Sequence, residues 1–197
     1  MRVRLATGMV AAVCAAVTSL PAAALAAPAQ TPSPGGPSPS GPLNSHERMF
    51  LTEASRDAQF EIAAGHLAAN RAASAAVRSF GQRMVTDHTK QAQALQHLDS
   101  SFGITAPSAP GADEQNLLKI WSSVRGGPFD CSYAPAMYPM HVLDLHMYAI
   151  VAKRASNAQV RQFAASQVPV LRQHLQLAHK NLSNLNCSAP PHTAARS

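Results

Sequence analysis

The 197-residue sequence has few charged side chains and few aromatic ones, and its basic residues are not gathered into a block. Lys and Arg number 16 against 10 Asp and Glu, and only 5% of the residues are aromatic. Nucleic-acid-binding proteins usually concentrate their basic residues on one surface, with aromatic side chains nearby. The composition therefore argues against a nucleic-acid partner.

The motifs of several common enzyme classes are also missing. The sequence contains no Ser nucleophile elbow, no phosphate-binding loop, no Rossmann fingerprint and no redox Cys-x-x-Cys pair. After the first 26 residues, no apolar run approaches the roughly 20 residues that span a bilayer. The sequence thus gives no positive sign of an enzyme and predicts no transmembrane span in the mature chain.

The first residues have the pattern of a targeting segment. Arg2 and Arg4 precede an apolar stretch, which ends in small residues with an Ala-x-Ala pattern at 24–26. This pattern predicts a secretory signal peptide over residues 1–26, cleaved after Ala26, with an uncleaved membrane anchor as the alternative. Cleavage removes two basic residues and lowers the net charge from +6 to about +4. We therefore expect an exported protein of the periplasm or the extracellular cell envelope.

The rest of the chain divides by composition into three parts. Residues 27–43 are rich in Pro, Ser and Gly and carry no charge, which predicts a disordered linker. Residues 44–187 form one predicted domain, long enough to bury a substantial core. Residues 188–197 are a predicted disordered tail.

Helical signals are dense in this domain, and strand signals are nearly absent. Asn44 and Glu47 have the spacing of a capping box, which predicts a first helix running to about Asn70. Ser74 is the predicted N-cap of a second helix, and Gly103 is its predicted stop.

The second half continues the helical pattern. The sequence predicts a short helix over 112–124 and a third long helix over 129–155, which Pro139 should kink or divide. The stretch "SNAQ", residues 156–159, has the spacing of a capping box and opens a fourth long helix to about residue 185, bent at Pro169. Together these elements predict an all-α fold: an antiparallel four-helix bundle with a short extra helix between helices two and three.

Two cysteines, Cys131 and Cys187, remain after signal-peptide removal. The predicted turn between the last two helices lies near residue 156, so antiparallel packing brings both cysteines toward the same end of the bundle. Export favours disulfides. We therefore expect a Cys131–Cys187 bridge, with two free thiols as the alternative.

Several titratable residues fall on the predicted inner faces of the helices. Glu61 lies at the centre of a small-residue stripe on helix one, and a buried Glu must be paired or neutral. His88 and His141 lie on the apolar stripes of helices two and three, and Asp144 lies at the edge of the latter. His174 lies at the margin of the apolar face of helix four.

Two stretches of the sequence share a short pattern. "FGQRMVTDH" and "YAPAMYPMH" both place an aromatic residue, a Met and a His at intervals of four, ending at His88 and His141. This repeat predicts two related halves, each directing one His inward.

The sequence resembles a family of exported bacterial proteins built on a domain of unknown function, ferritin-like in fold and often labelled predicted outer membrane proteins. The resemblance covers about 46–183, in "FLTEASRDAQFEIAAGHLA", "VRSFGQRMVTDHTKQAQAL", "FDCSYAPAMYPMH" and "FAASQVPVLRQHLQLA". The family pattern falls here on Glu61, Asp87, His88, His141 and the triplet Leu171, His174 and Leu175. Members often carry an Asp before the third-helix His, where this chain has Met140. The resemblance implies a ferritin-like bundle and an exported location, without an established biochemical function.

The predicted inner residues suit one metal ion better than two. A ferritin-like di-iron site needs Glu-x-x-His on two helices, and this chain has none. Glu61, His88 and His141, with His174 or Asp144, offer three or four ligands for a single copper, zinc or iron ion. Met84 and Met137 would favour copper(I) if they point inward, although methionine in such positions usually packs.

Three other interpretations stay open at this point. The inner Glu and His residues can form a purely structural hydrogen-bonded network, or an acid/base site. From a different class, the protein can be a non-catalytic cell-envelope protein that binds another protein or a polymer through its surface or its Pro-rich tail. If the histidines are buried and neutral, stability should fall as pH drops through their titration range.

Overall fold

The computed structural model describes residues 41–187, and these residues form five α-helices and no strand. The helices are α1 Ser45–Arg71, α2 Ala75–Ser101, α3 Ala112–Ser123, α4 Gly127–Arg154 and α5 Ala158–Asn184. The all-α prediction is thus confirmed for this part of the chain, including the short helix α3. The predicted signal peptide, most of the predicted linker and the predicted C-terminal tail lie outside the described residues.

The first two helices begin at the predicted caps. The side chain of Asn44 accepts a hydrogen bond from the Glu47 backbone, and the Glu47 carboxylate accepts one from the Asn44 backbone, which completes the capping box. Ser74 caps α2 by accepting from the backbone N–H of Val77. Gly103, two residues after α2, has a φ of 65°, as its predicted role as a helix stop requires.

The predicted cap of the last long helix is wrong by one residue. Asn157, and not Ser156, is the N-cap of α5, and its side chain accepts from the backbone N–H groups of Gln159 and Val160. The backbone N–H of Asn157 in turn donates to the carboxylate of Glu47 at 2.7 Å. This hydrogen bond joins the starts of α1 and α5. It could not be predicted from short-range sequence patterns, because the two residues are far apart in the chain.

The helices also continue through their prolines. Pro135 and Pro139 lie inside α4, and Pro169 lies inside α5. The predicted division at Pro139 did not occur. All three prolines are exposed, so the backbone carbonyls that lose a helical partner face solvent, where water can hydrogen-bond to them.

The long helices are arranged as two antiparallel pairs. The α1 helix packs mainly against α2, and α4 packs mainly against α5. The backbone N–H of Ser74 donates to Asp130 at 2.8 Å, which places the starts of α2 and α4 together. Because α1 and α5 also start together, they run in one direction, and α2 and α4 run in the other. The connection from α2 to α4 therefore returns along the length of the molecule, and it includes α3, which packs on α1 and α4.

Two glycines allow α1 and α2 to approach closely. A Cβ atom on Gly81 would lie 2.6 Å from the backbone oxygen of Gly65, and one on Gly65 would lie 2.7 Å from the oxygen of Gly81. Neither position can hold a larger residue without moving a helix backbone. The predicted small-residue stripe on α1 is therefore the surface on which α2 packs.

The core consists of two apolar clusters separated by polar residues. One cluster gathers residues such as Phe60, Phe80, Trp121 and Tyr133, and the other gathers residues such as Phe50, Leu51, Leu95, Tyr148 and Leu171. On α2, α4 and α5 a buried histidine lies between the parts that belong to the two clusters, and on α1 the buried Glu61 follows Phe60, the first residue of its cluster on that helix. We name these residues the polar layer: Glu61, His88, His141 and His174.

Cys131 and Cys187 are joined, with their Cα atoms 5.5 Å apart. The link connects the first turn of α4 to the residues just after α5. Both cysteines therefore lie at one end of the molecule, as the predicted antiparallel packing requires. None of the helices in the described part of the chain is both long enough and apolar enough to cross a membrane.

Candidate metal centre

Three histidines of the polar layer converge in the interior. One ring nitrogen from each of His88, His141 and His174 lies within 4.8 Å of the others. Their ring centroids are 5.2 to 6.5 Å apart. The predicted position of His174 at a margin is wrong, because this residue is fully buried. The buried face of α5 passes through His174 and leaves Leu175 only half-buried.

Gln91 fixes the orientation of His88. The side-chain oxygen of Gln91 lies 2.5 Å from Nδ1 of His88, and its side-chain nitrogen donates to the hydroxyl of Tyr148 at 2.5 Å. Because the amide oxygen can only accept, Nδ1 of His88 carries the proton. The other ring nitrogen, Nε2, then presents a free lone pair.

His141 is oriented by its own helix. Nδ1 lies 2.9 Å from the backbone oxygen of Met137, one turn earlier on α4. A carbonyl oxygen only accepts, so Nδ1 of His141 is the protonated nitrogen and Nε2 is the unprotonated one.

His174 is oriented by a carboxylate. Its Nε2 donates to Oδ2 of Asp87 at 3.0 Å, and the same oxygen accepts a hydrogen bond from Arg83. Although partial burial opposes ionisation, the hydrogen bonds from Arg83 and His174 hold the pKa of Asp87 below its usual value. Asp87 therefore stays ionised at neutral pH, and Nδ1 of His174 carries the free lone pair.

The remaining nitrogen of each ring lacks a hydrogen-bond partner. Nε2 of His88, Nε2 of His141 and Nδ1 of His174 are buried and make no hydrogen bond to any described residue. Most buried polar atoms in proteins have a partner, so three unpaired acceptors in one place need an explanation.

Burial keeps the three rings neutral. It lowers the pKa of His88 to about 3, with a further contribution from the neighbouring His174 and His141. Burial also lowers the pKa of His141 to about 4, although the bond to Met137 opposes this shift. The pKa of His174 is lowered by burial as well, against the effect of Asp87. At neutral pH all three free nitrogens can therefore act as metal ligands without first losing a proton.

Glu61 and Asp144 form a second group together with His141. Ligand atoms of Glu61, His141 and Asp144 lie within 4.8 Å of one another. Glu61 is 2% exposed, and its Oε2 has no hydrogen-bond partner among the described residues. The five candidate ligands from the sequence thus fall into two groups that share His141.

Burial raises the pKa values of the carboxyl groups in this second region. The pKa of Glu61 is raised well above its usual value by burial and by the nearby charges of Asp144, Asp57 and Glu114. Burial, the nearby charges of Asp144 and Glu114 and a hydrogen bond with Glu114 raise the pKa of Asp57 to about 8. For Asp144, burial and Glu114 raise the pKa to about 7.

The sequence analysis missed three of the residues that complete these groups. Gln91 lies one turn after His88, and Asp57 lies one turn before Glu61, so helical spacing alone could have indicated both. Glu114 lies on α3, and no local pattern relates it to α1 or α4.

The two methionines next to the histidines belong to the apolar core. Met84 and Met137 are fully buried in the cluster that contains Phe80 and Tyr133. Met137 contributes its backbone oxygen to the orientation of His141. The described contacts thus give these side chains a packing role.

The described residues form a helical fold with two adjacent groups of candidate metal ligands, all of them buried except the half-buried Asp144. A family model described as a domain of unknown function (DUF4142) matches residues 32–180, and the chain belongs to this family. The resemblance seen in the motifs is thus confirmed at the level of a domain-of-unknown-function family. A search of curated proteins found no match. A search of solved structures found none either.

Proposed function

We propose that this protein binds one transition-metal ion through His88, His141 and His174. The proposal rests on two observations: His88, His141 and His174 each have a buried ring nitrogen without a hydrogen-bond partner among the described residues, and one ring nitrogen of each lies within 4.8 Å of the others. Each ring also donates a hydrogen bond from its other nitrogen, to Gln91, to the Met137 carbonyl or to Asp87. Histidine ligands in metalloproteins usually have such hydrogen-bond partners, which fix the tautomer and the ring orientation.

A purely structural network accounts less well for this arrangement. In such a network the buried polar atoms would hydrogen-bond to one another. Here each of the three histidines leaves one acceptor unpaired, and an unpaired buried polar atom costs about 1 to 3 kcal/mol. A single cation would pair all three acceptors at once.

The ligand set favours zinc or copper. Three neutral imidazoles suit both metals, and a site with three protein ligands leaves a coordination position for water or a small molecule. Iron remains a weaker candidate because it usually takes carboxylate ligands beside histidine. The proposal contains no catalytic step.

We further propose that the protein is an exported, ferritin-like four-helix bundle of the periplasm or cell envelope. The link between Cys131 and Cys187 supports an oxidising compartment. The single long connection between α2 and α4 is typical of ferritin-like topology. The signal peptide over 1–26, the linker over 27–43 and the tail over 188–197 remain part of this proposal. A role as a non-catalytic envelope protein that binds a partner or polymer stays a prediction.

The test is metal content and metal affinity of the mature protein, purified without a His tag or chelator. We expect about one equivalent of zinc or copper by mass spectrometry, and calorimetric binding of the same ion to the apo protein. The variants H88Q and H174Q should lose both. H146Q is the matched control, because His146 is an exposed histidine of α4.

Two results would contradict the proposal. One is the absence of zinc and copper binding by the folded apo protein. The other is equal binding by H88Q, H174Q and H146Q, with folding checked by circular dichroism.

A further inference from the structure

A small acidic cavity lies beside the three histidines. It has a volume of about 120 Å³ and is lined by Asp57, Phe60, Glu61, Glu114, Met140, Leu143 and Asp144. Its four carboxyl groups come from three helices: two from α1, one from α3 and one from α4. We name it the acidic cavity.

No salt bridge among the described residues pairs a carboxyl group of the acidic cavity with a cation. The charges that shift the pKa of Glu61 are those of Asp144, Asp57 and Glu114, and all of them are carboxylates. The charge of Glu114 likewise raises the pKa of Asp144, in addition to the effect of burial. Grouping buried or half-buried carboxyl groups without a cation is unfavourable, because it requires either mutual repulsion or protonation.

A second observation points to a ligand. Glu61 is 2% exposed, lines the acidic cavity, and has an Oε2 atom without a hydrogen-bond partner among the described residues. Its ligand atom lies within 4.8 Å of those of Asp144 and His141. Two neighbouring carboxylates, one of them buried with an unpaired oxygen, are suitable ligands for a divalent cation.

We propose that the acidic cavity is a second cation site, with Glu61 and Asp144 as its ligands, for a hard divalent cation such as Mn²⁺. Oxygen ligands select such ions over the softer ones that imidazole prefers. Asp57 and Glu114 line the same cavity and place further carboxyl oxygens around the ion. The two carboxylates are the only protein ligands proposed, because the one free nitrogen of His141 is assigned to the three-histidine centre.

The test is a titration of the apo mature protein with Mn²⁺, in which electron paramagnetic resonance counts the free ion. We expect about one bound Mn²⁺ per chain. E61Q and D144N should each weaken binding by at least about tenfold, since the loss of even a hydrogen-bond partner of a ligand costs about 10- to 100-fold in metal affinity. E53Q is the matched control, because Glu53 is a half-exposed carboxylate of the same helix.

The outcomes separate this site from the three-histidine centre. H88Q should keep Mn²⁺ binding while it loses zinc and copper. E61Q should keep zinc and copper binding while it loses Mn²⁺. The inference is overturned if no Mn²⁺ binds, or if E61Q and D144N bind it as tightly as E53Q does. A protein that binds zinc at the histidines but no Mn²⁺ would retain the proposed function and lose this inference alone. E61Q nearly preserves side-chain volume and removes an unpaired carboxylate, so we expect it to fold.

Discussion

The three histidines of the polar layer and the carboxyl groups of the acidic cavity are neighbouring groups of polar side chains whose surroundings differ. We call the first group the histidine side and the second the acidic side. On the histidine side, every ring has one nitrogen held by a fixed partner: Gln91, the Met137 carbonyl or Asp87. On the acidic side, Glu61 keeps an unpaired oxygen and its charged neighbours are other carboxylates. The histidine rings are thus already oriented, whereas the carboxyl groups have no cation paired with them among the described residues. Preoriented side chains and unbalanced negative charge are therefore separate reasons to propose a binding site.

The largest expected effect is the stabilisation of the protein by metal on the histidine side. At a free zinc concentration about 1,000 times the Kd, binding adds about 4 kcal/mol to the free energy of unfolding. Thermal melts of the wild type with zinc and with a chelator should therefore differ by many degrees. H174Q should melt at the same temperature under both conditions. If zinc does not change the melting temperature of the wild type, the histidine side does not bind the metal and the proposed difference between the two sides is wrong.

A smaller effect should follow from weakening one of the fixed partners. D87N removes the charge that holds Nε2–H of His174 but leaves the ligand itself in place. We expect zinc affinity to fall about 10- to 100-fold, measured by competition with a chromophoric chelator. R83Q is the control, because it removes the other partner of Asp87 and keeps the carboxylate. Equal zinc affinity in D87N and the wild type would mean that the Asp87 contact does not support the site.

The smallest expected effect is the pH dependence of the apo protein. The histidine pKa values are lowered by burial, so the unfolded state binds more protons below its own pKa of 6.5, and stability falls as pH drops below that value. The carboxyl pKa values are raised, to about 8 for Asp57 and about 7 for Asp144. The folded state therefore keeps protons that the unfolded state releases, and stability falls as pH rises toward 8.

Between pH 6.5 and 8, only the acidic side makes the protein less stable as pH rises, and the histidine effect, of opposite sign, fades above pH 6.5. We expect the free energy of unfolding to decrease there by at most about 1.4 kcal/mol per pH unit for each proton, and by less where solvent screens Asp57 and Asp144. E61Q should reduce this decrease, as measured by urea unfolding at pH 6.5 and 8. An identical decrease in E61Q and the wild type would show that Glu61 does not contribute to it. The fall at low pH expected from the sequence thus describes only the histidine side.

Local patterns were sufficient for the helices and for part of the site. Helical spacing placed Glu61, His88 and His141 on inner faces, and all three are buried. The caps at Asn44 and Ser74 were also predictable, because a capping hydrogen bond joins residues three apart in the chain.

Contacts between helices decided the rest. The rotation of α5 brings His174 to the centre, and the packing of α3 on α1 and α4 brings Glu114 to the acidic cavity. Similarly, the residue that caps α5, Asn157, also donates a backbone hydrogen bond to Glu47 of α1.

Periodicity and capping act over one or two turns, so the sequence was enough to predict five helices and the inward direction of most of their polar residues. Only the packing of the helices settled that these residues form two groups meeting at His141, and which partner holds each histidine. Ligand distances depend on the rotation and separation of the helices. Those depend in turn on contacts between different helices, such as that of Gly65 on α1 with Gly81 on α2, which no pattern within one helix contains.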